Sequence, residues 1–207
     1  MPADTTTPKI KLPTFAKVMP YLLIIVGVIG LAMAFIIMYE KLQLYNNPSY
    51  IPSCDLNPVI SCGSVMQSKQ SNAFGFSNPI VGLAAWPVVI TTGVVLLNGA
   101  RLKRWYWLGL EAGTVFGIGF VHWLFFQSVF RIHALCPYCM VTWIMTITTF
   151  WYVTLYNIQS GNIRVKGKLK TFTNFLVRHH LDILILWLLI IAGFILKHFW
   201  YYYGHYL

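Results

Sequence analysis

The sequence predicts an all-α integral membrane protein, and three observations carry the prediction. Of 207 residues, 57% are hydrophobic and 10% are charged, with a mean hydropathy of +0.65. That lies outside the usual composition of a soluble domain. Stretches at 18–39, 79–97, 105–130, 135–156 and 181–203 are apolar, and each approaches or exceeds the ~20 residues a helix needs to cross a ~30 Å hydrocarbon core. With the chain spent on these crossings and mostly short loops, no second domain is expected.

Each element has its own local reason. Residues 1–17 are polar and contain Thr and Pro, and are expected to be a disordered cytoplasmic N-terminus. The first apolar run holds Ala32-Met33-Ala34, which resembles a signal cleavage site. It continues through Phe35-Ile36-Ile37-Met38, too long for a cleaved leader, so a retained helix is expected. The long loop at 40–78 is expected to start irregular, because Asn46-Asn47-Pro48, Ile51-Pro52 and Asn57-Pro58 punctuate it. A short helix should follow with Ser61 as N-cap, turning Val65 and Met66 towards the membrane. Pro79 suits the first turn of the second crossing.

Arg101, Lys103 and Arg104 mark a tight basic turn before the third crossing. There Gly113, Gly117 and Gly119 are expected to allow close helix approach in lipid. The fourth crossing opens at Cys136-Pro137-Tyr138-Cys139, with Pro137 again in a first turn. Residues 157–180 are read as a basic cytoplasmic linker. The fifth crossing, within 181–207, ends in Trp200-Tyr201-Tyr202-Tyr203, an interfacial anchor.

The formal net charge of +10 could suggest nucleic acid, but its distribution argues against it. With the N-terminus inside, the cytoplasmic segments hold Lys9, Lys11, Lys17, Arg101, Lys103, Arg104, Arg164, Lys166, Lys168, Lys170 and Arg178. The outer side holds only Lys41, Lys69, Arg131 and Lys197. This asymmetry predicts an N-in, C-out topology, with the basic residues facing anionic lipid. All four cysteines then lie outside the cytoplasm, where disulfides persist.

The four cysteines form two pairs. Cys136-x-x-Cys139 at a helix start suits redox cycling, because unpaired backbone N–H groups favour a thiolate there. Cys54 and Cys62 alone could be a structural staple. Four thiolates could bind zinc, but the seven-residue gap between Cys54 and Cys62 is unlike a zinc knuckle, and no metal is expected. Two pairs on one side of a membrane bundle can pass electrons between them.

The order Cys54-Asp55, Ile60-Ser61-Cys62, Ser68, Ser77-Asn78 and Cys136-x-x-Cys139 resembles the vitamin K epoxide reductase family, especially its bacterial quinone-linked members. The resemblance spans roughly 18–156, a four-helix catalytic core, and leaves the fifth helix peripheral. DsbB-like disulfide oxidases carry their C-x-x-C in the first outer loop, the reverse order. The resemblance implies that Cys54 and Cys62 form a shuttle pair, with Cys54 exchanging with a reduced partner. Cys62 would pass electrons to Cys136, and Cys139 would face a membrane quinone of the menaquinone, ubiquinone or vitamin K type. Asn78 would hydrogen-bond a quinone carbonyl, with Ser68 near the site. An amide N–H there could stabilise the developing oxyanion; Asn78 could instead cap the helix that Pro79 starts. Met66, Trp86 and Leu124 are candidates for the prenyl tail.

Two departures from the family pattern stand out. Trp143 occupies the place of a tyrosine in many relatives, and its indole N–H can donate but cannot accept. Many bacterial relatives also continue into a thioredoxin-like domain. Here the expected partner is a separate thioredoxin-fold thiol oxidase of the DsbA-like kind, at a bacterial cell membrane or, alternatively, the endoplasmic reticulum membrane. His122 and His133 are candidate proton carriers, although His122 could simply hydrogen-bond within the bundle. Glu111 is expected to be paired structurally or hydrated. The rival functions are vitamin K epoxide reduction of the animal type and a non-enzymatic subunit braced by disulfides.

Overall fold

The computed structural model describes residues 15–163, 165 and 168–204. The N-terminal stretch 1–14, including Lys9 and Lys11, lies outside the described residues, as do Arg164 and Lys166. The helices are α1 (Phe15–Asn46), α2 (Cys62–Gln67), α3 (Pro79–Leu97), α4 (Arg104–Gln127), α5 (Pro137–Gln159), α6 (Lys168–Arg178), α7 (His180–His198) and α8 (Trp200–Tyr203). A 3-10 turn at Lys69–Asn72 follows α2, and a π-helical turn at Ser128–Ile132 continues α4. Among the described residues, five segments are long and apolar enough to cross a membrane: Lys17–Asn46, Pro79–Leu97, Arg104–Ile132, Pro137–Gln159 and His180–His198. The protein is an all-α integral membrane protein.

Three elements differ from the sequence expectation. α1 runs on to Asn46 instead of ending with the apolar run at Tyr39, so the loop does not start irregular at residue 40. The extra turns persist because their charged side chains are hydrogen-bonded. Glu40 is buried and accepts hydrogen bonds from Tyr50 (2.9 Å) and Ser53 (2.7 Å). The Lys41 ammonium donates to Ser71 Oγ and Asn72 Oδ1, each at 2.8 Å. Next, the basic linker contains a helix, α6. Phe172, Phe175 and Leu176 recur there at helical spacing, giving it an apolar stripe. Finally, the last crossing breaks at Phe199, whose side chain is fully buried, before α8 resumes.

Close helix approach occurs between α1 and α3, not along the α4 glycines. In lipid there is little hydrophobic drive between helices, so backbone proximity through small residues does the packing. A Cβ on Gly93 would stand 2.7 Å from the Pro20 carbonyl oxygen, and one on Gly27 would stand 2.6 Å from Ile90. Gly30 lies flat against the Trp86 indole. By contrast, Gly113 and Gly119 face open space, and Gly117 meets only Thr146, at 3.3 Å. Gly113 and Gly117 instead line a cavity.

Two polar groups inside the bundle, Glu111 and His122, are satisfied by neighbouring helices, as a membrane interior favours. Glu111 of α4 accepts from Thr154 (2.7 Å) and Asn157 (3.0 Å) of α5, the structural pairing expected for it. His122 is held between α4 and α7. Trp187 Nε1 can only donate, so His122 Nε2 accepts its bond at 3.2 Å and the ring hydrogen sits on Nδ1, facing the Ile118 carbonyl at 2.8 Å. Both ring nitrogens are thereby used within the bundle.

Candidate active site

The cysteines come together through a short backbone clip. Asn57 Oδ1 accepts the Val59 and Ile60 N–H groups, closing a tight turn after Cys54. The chain then pairs with the segment before α5 in an isolated parallel bridge between Ile60 and Leu135. Ser61 N–H donates to the Leu135 carbonyl (3.0 Å), and Leu135 N–H donates to the Val59 carbonyl (2.7 Å). Each segment then enters a helix at a cysteine, which sets Cys62 beside Cys136.

Ser61 caps α2, its Oγ accepting the Ser64 N–H as expected. Asp55 reaches across the same turn, where Oδ1 accepts the Gly63 N–H at 2.9 Å. Gly63 is required for this approach, because a Cβ there would stand 2.7 Å from Asp55 Oδ2. Cys54 and Cys62 form a disulfide, while Cys136 and Cys139 are free thiols.

The two thiols of the C-x-x-C face different neighbours. Cys136 is the N-cap of α5, fully buried, with its Sγ 3.3 Å from Cys62 Sγ. It also accepts the Cys139 N–H at 3.3 Å. A hydrogen bond from the Cys139 thiol, with help from the Cys139 and Tyr138 backbone N–H groups, outweighs burial. It holds the Cys136 thiol below the ordinary range. Cys139, one helical turn on, lies on the wall of a cavity of about 530 Å³ bounded by α1, α3, α4 and α5.

The other residues singled out from sequence meet on that wall: Met66, Ser68, Asn78, Trp86, Leu124 and Trp143 all line it. Their capacities differ. Asn78 holds the N-cap position of α3, but its side chain makes no capping hydrogen bond there. Its Oδ1 accepts the Ala73 N–H (3.0 Å) and its Nδ2 donates to the Gln70 carbonyl (2.8 Å), which leaves the second amide hydrogen for the cavity. Ser68 has already spent its hydroxyl hydrogen on the Val65 carbonyl, at 2.7 Å. Trp143 is buried edge-on against Phe125, with no hydrogen-bond partner for its indole N–H among the described residues. His133 is exposed, adopts a left-handed backbone and packs against His198, and no hydrogen bond joins it to Cys136.

Sequence reasoning missed two groups at this end. Glu40, through Ser53, reaches the C-x-x-C itself. Ser53 gives its hydrogen to Glu40, so the Tyr138 hydroxyl donates to Ser53, at 2.9 Å. Lys41, which the sequence puts in the outer loop, lines the cavity. The helix breakers begin only at Asn46-Asn47-Pro48, and that signal could have carried α1 far enough to place both.

A family model, the vitamin K epoxide reductase family, matches residues 21–154, more than half of the chain and all of the cysteine-bearing core. The chain belongs to the vitamin K epoxide reductase family. Membership carries membrane thiol/quinone oxidoreductase activity, with quinone as the family's usual electron acceptor. Within this family member the matched region spans most of α1 to α5, and α6 to α8 lie beyond it. A search of the curated proteins found no match. Among the described residues no group of three or more His, Cys, Asp or Glu side chains is placed to hold a metal ion.

Proposed function

We propose that the protein oxidises a separate thioredoxin-fold, DsbA-like thiol oxidase and passes its electrons through both cysteine pairs to a membrane quinone. The observation that carries this reading is the division of the C-x-x-C: Cys136 against Cys62 at 3.3 Å, Cys139 on the cavity wall. A reduced partner thiolate would attack Cys54, and after partner release the loop pair would be a dithiol. Cys62 thiolate would then attack Cys136 of an oxidised C-x-x-C, forming Cys62–Cys136 and releasing Cys139 thiolate. Cys54 would next attack Cys62 and release Cys136. The described state, with one disulfide and two free thiols, corresponds to the end of that sequence.

A quinone takes up two electrons and two protons, leaving quinol and a restored Cys136–Cys139 disulfide. In this reading Asn78 directs its remaining N–H at the quinone oxygen that gains charge, and the Trp143 N–H serves the opposite side of the ring. The apolar wall with Met66, Trp86 and Leu124 suits a prenyl tail. The basic asymmetry supports an N-in topology with the cysteines facing the extracytoplasmic side, in a bacterial cell membrane. Labelling an engineered cysteine at Gly161 from outside should fail, while one in the Ser128–His133 turn should react.

The test is purified protein mixed with a reduced thioredoxin-fold dithiol protein and with ubiquinone-1, menadione or vitamin K epoxide in turn. Quinol formed in step with partner disulfide is the predicted result. Reduction of the epoxide alone would favour the animal-type activity, and thiols that never cycle would leave only a disulfide brace.

A further inference from the structure

In a cavity walled mostly by apolar side chains, Lys41 is a half-buried ammonium with no carboxylate partner among the described residues. Its three donors go to neutral acceptors: Ser71 Oγ and Asn72 Oδ1 at 2.8 Å, and the Ser71 carbonyl at 3.2 Å. The nearby acids are committed elsewhere. Glu40 is taken by Tyr50 and Ser53, and Asp55 by the Gly63 N–H. A buried charge without a counter-charge is costly. That cost falls when an anion forms beside it.

Cys139 is the group on this wall that becomes such an anion, and it lacks what serves its neighbour. Cys136 sits at the helix N-cap and receives the Cys139 N–H. Cys139 is the third residue of α5 and stands partly buried on the cavity wall, without the N-cap position that serves Cys136. Lys41 lines the same cavity wall as Cys139, with its ammonium bonded only to neutral acceptors. We propose that Lys41 is the electrostatic partner of Cys139, holding its thiolate in the cavity, while the α5 N-terminus serves Cys136. The inference rests on the assignment of Cys139 as the thiol that meets the acceptor.

The test follows the thiols without any quinone. The parent is full-length Cys136→Ala protein with Cys54–Cys62 oxidised, which removes the thiol that competes with Cys139 for the negative charge. It is alkylated with iodoacetamide at fixed neutral pH, and Cys139 modification is followed by peptide mass mapping. A close opposite charge moves an acid by roughly one to three pH units. Lys41→Gln, and Lys41→Met as a second neutral variant, should therefore slow Cys139 alkylation about tenfold or more. Lys41→Arg should restore the parent rate. Asn72→Ala, which removes one of the lysine's bonds but keeps the charge, should leave it unchanged. Parent rates in the neutral variants, or an equal loss in Asn72→Ala, would overturn the proposal and make Lys41 a structural pin. Failure of wild-type protein to reduce ubiquinone-1 would instead count against the proposed function and leave the alkylation result standing.

Discussion

The two ends of the bundle handle buried polarity in opposite ways. Away from the cysteines, Glu111 is closed off by Thr154 and Asn157, and Asn157 also donates to the Trp107 carbonyl. None of Glu111, Thr154 and Asn157 lines the cavity. At the cysteine end, Lys41, Asn78 and Trp143 border the cavity with charge or donors that the protein leaves uncommitted. A polar group that is paired within the fold braces helices. One left partly unpaired against a cavity is available to a bound molecule. That contrast, more than burial itself, separates scaffold from site.

The sharpest way to break the comparison is at the open end. Asn78→Leu should slow quinone reduction on the order of a hundredfold, as loss of a donor to a developing oxyanion does. Ser68→Ala should change the rate little, since its hydroxyl hydrogen is already spent. Stopped-flow quinol formation with a small dithiol as donor distinguishes them, and equal losses would show that hydrogen-bond capacity is not the relevant property.

A smaller effect is expected where the loop pair is held in register. Gly63→Ala pushes a Cβ towards Asp55 and should slow electron transfer from a protein dithiol about tenfold to a hundredfold through misplacement of Cys62. Quinone reduction driven by a small dithiol acting directly on Cys136–Cys139 should persist. At the closed end the effect should be on stability alone. Glu111→Leu leaves Thr154 and Asn157 without their acceptor and should cost about 1–3 kcal/mol. It should lower the thermal midpoint in detergent without altering turnover per folded molecule. A turnover defect at unchanged stability would contradict the division into scaffold and site.

Much of this was legible in the chain. The second crossing begins and ends where Pro79 and the apolar run to Leu97 put it, and Ser61 caps the short helix as its residue type suggests. The cysteine order and Asn78 led to a family assignment that the family match shares. What was hidden depends on tertiary partners. Glu40 and Lys41 look like the end of a helix until Tyr50, Ser53 and Ser71 fold back to pair them. The α4 glycines look like a packing seam, yet Gly113 and Gly117 border the cavity and Gly119 faces open space. The bridge between Ile60 and Leu135 joins residues far apart in sequence and carries no periodic signal.

The central claim is that electrons cross between Cys62 and Cys136. Cys54→Ala and Cys139→Ala each remove a thiol that would resolve the mixed disulfide, so non-reducing peptide mapping of either variant should find a Cys62–Cys136 bridge accumulating. The 3.3 Å approach of the two sulfurs makes that bond accessible with little rearrangement. Absence of the bridge in both variants, together with full activity in Cys62→Ala, would contradict the account and leave the loop disulfide a brace.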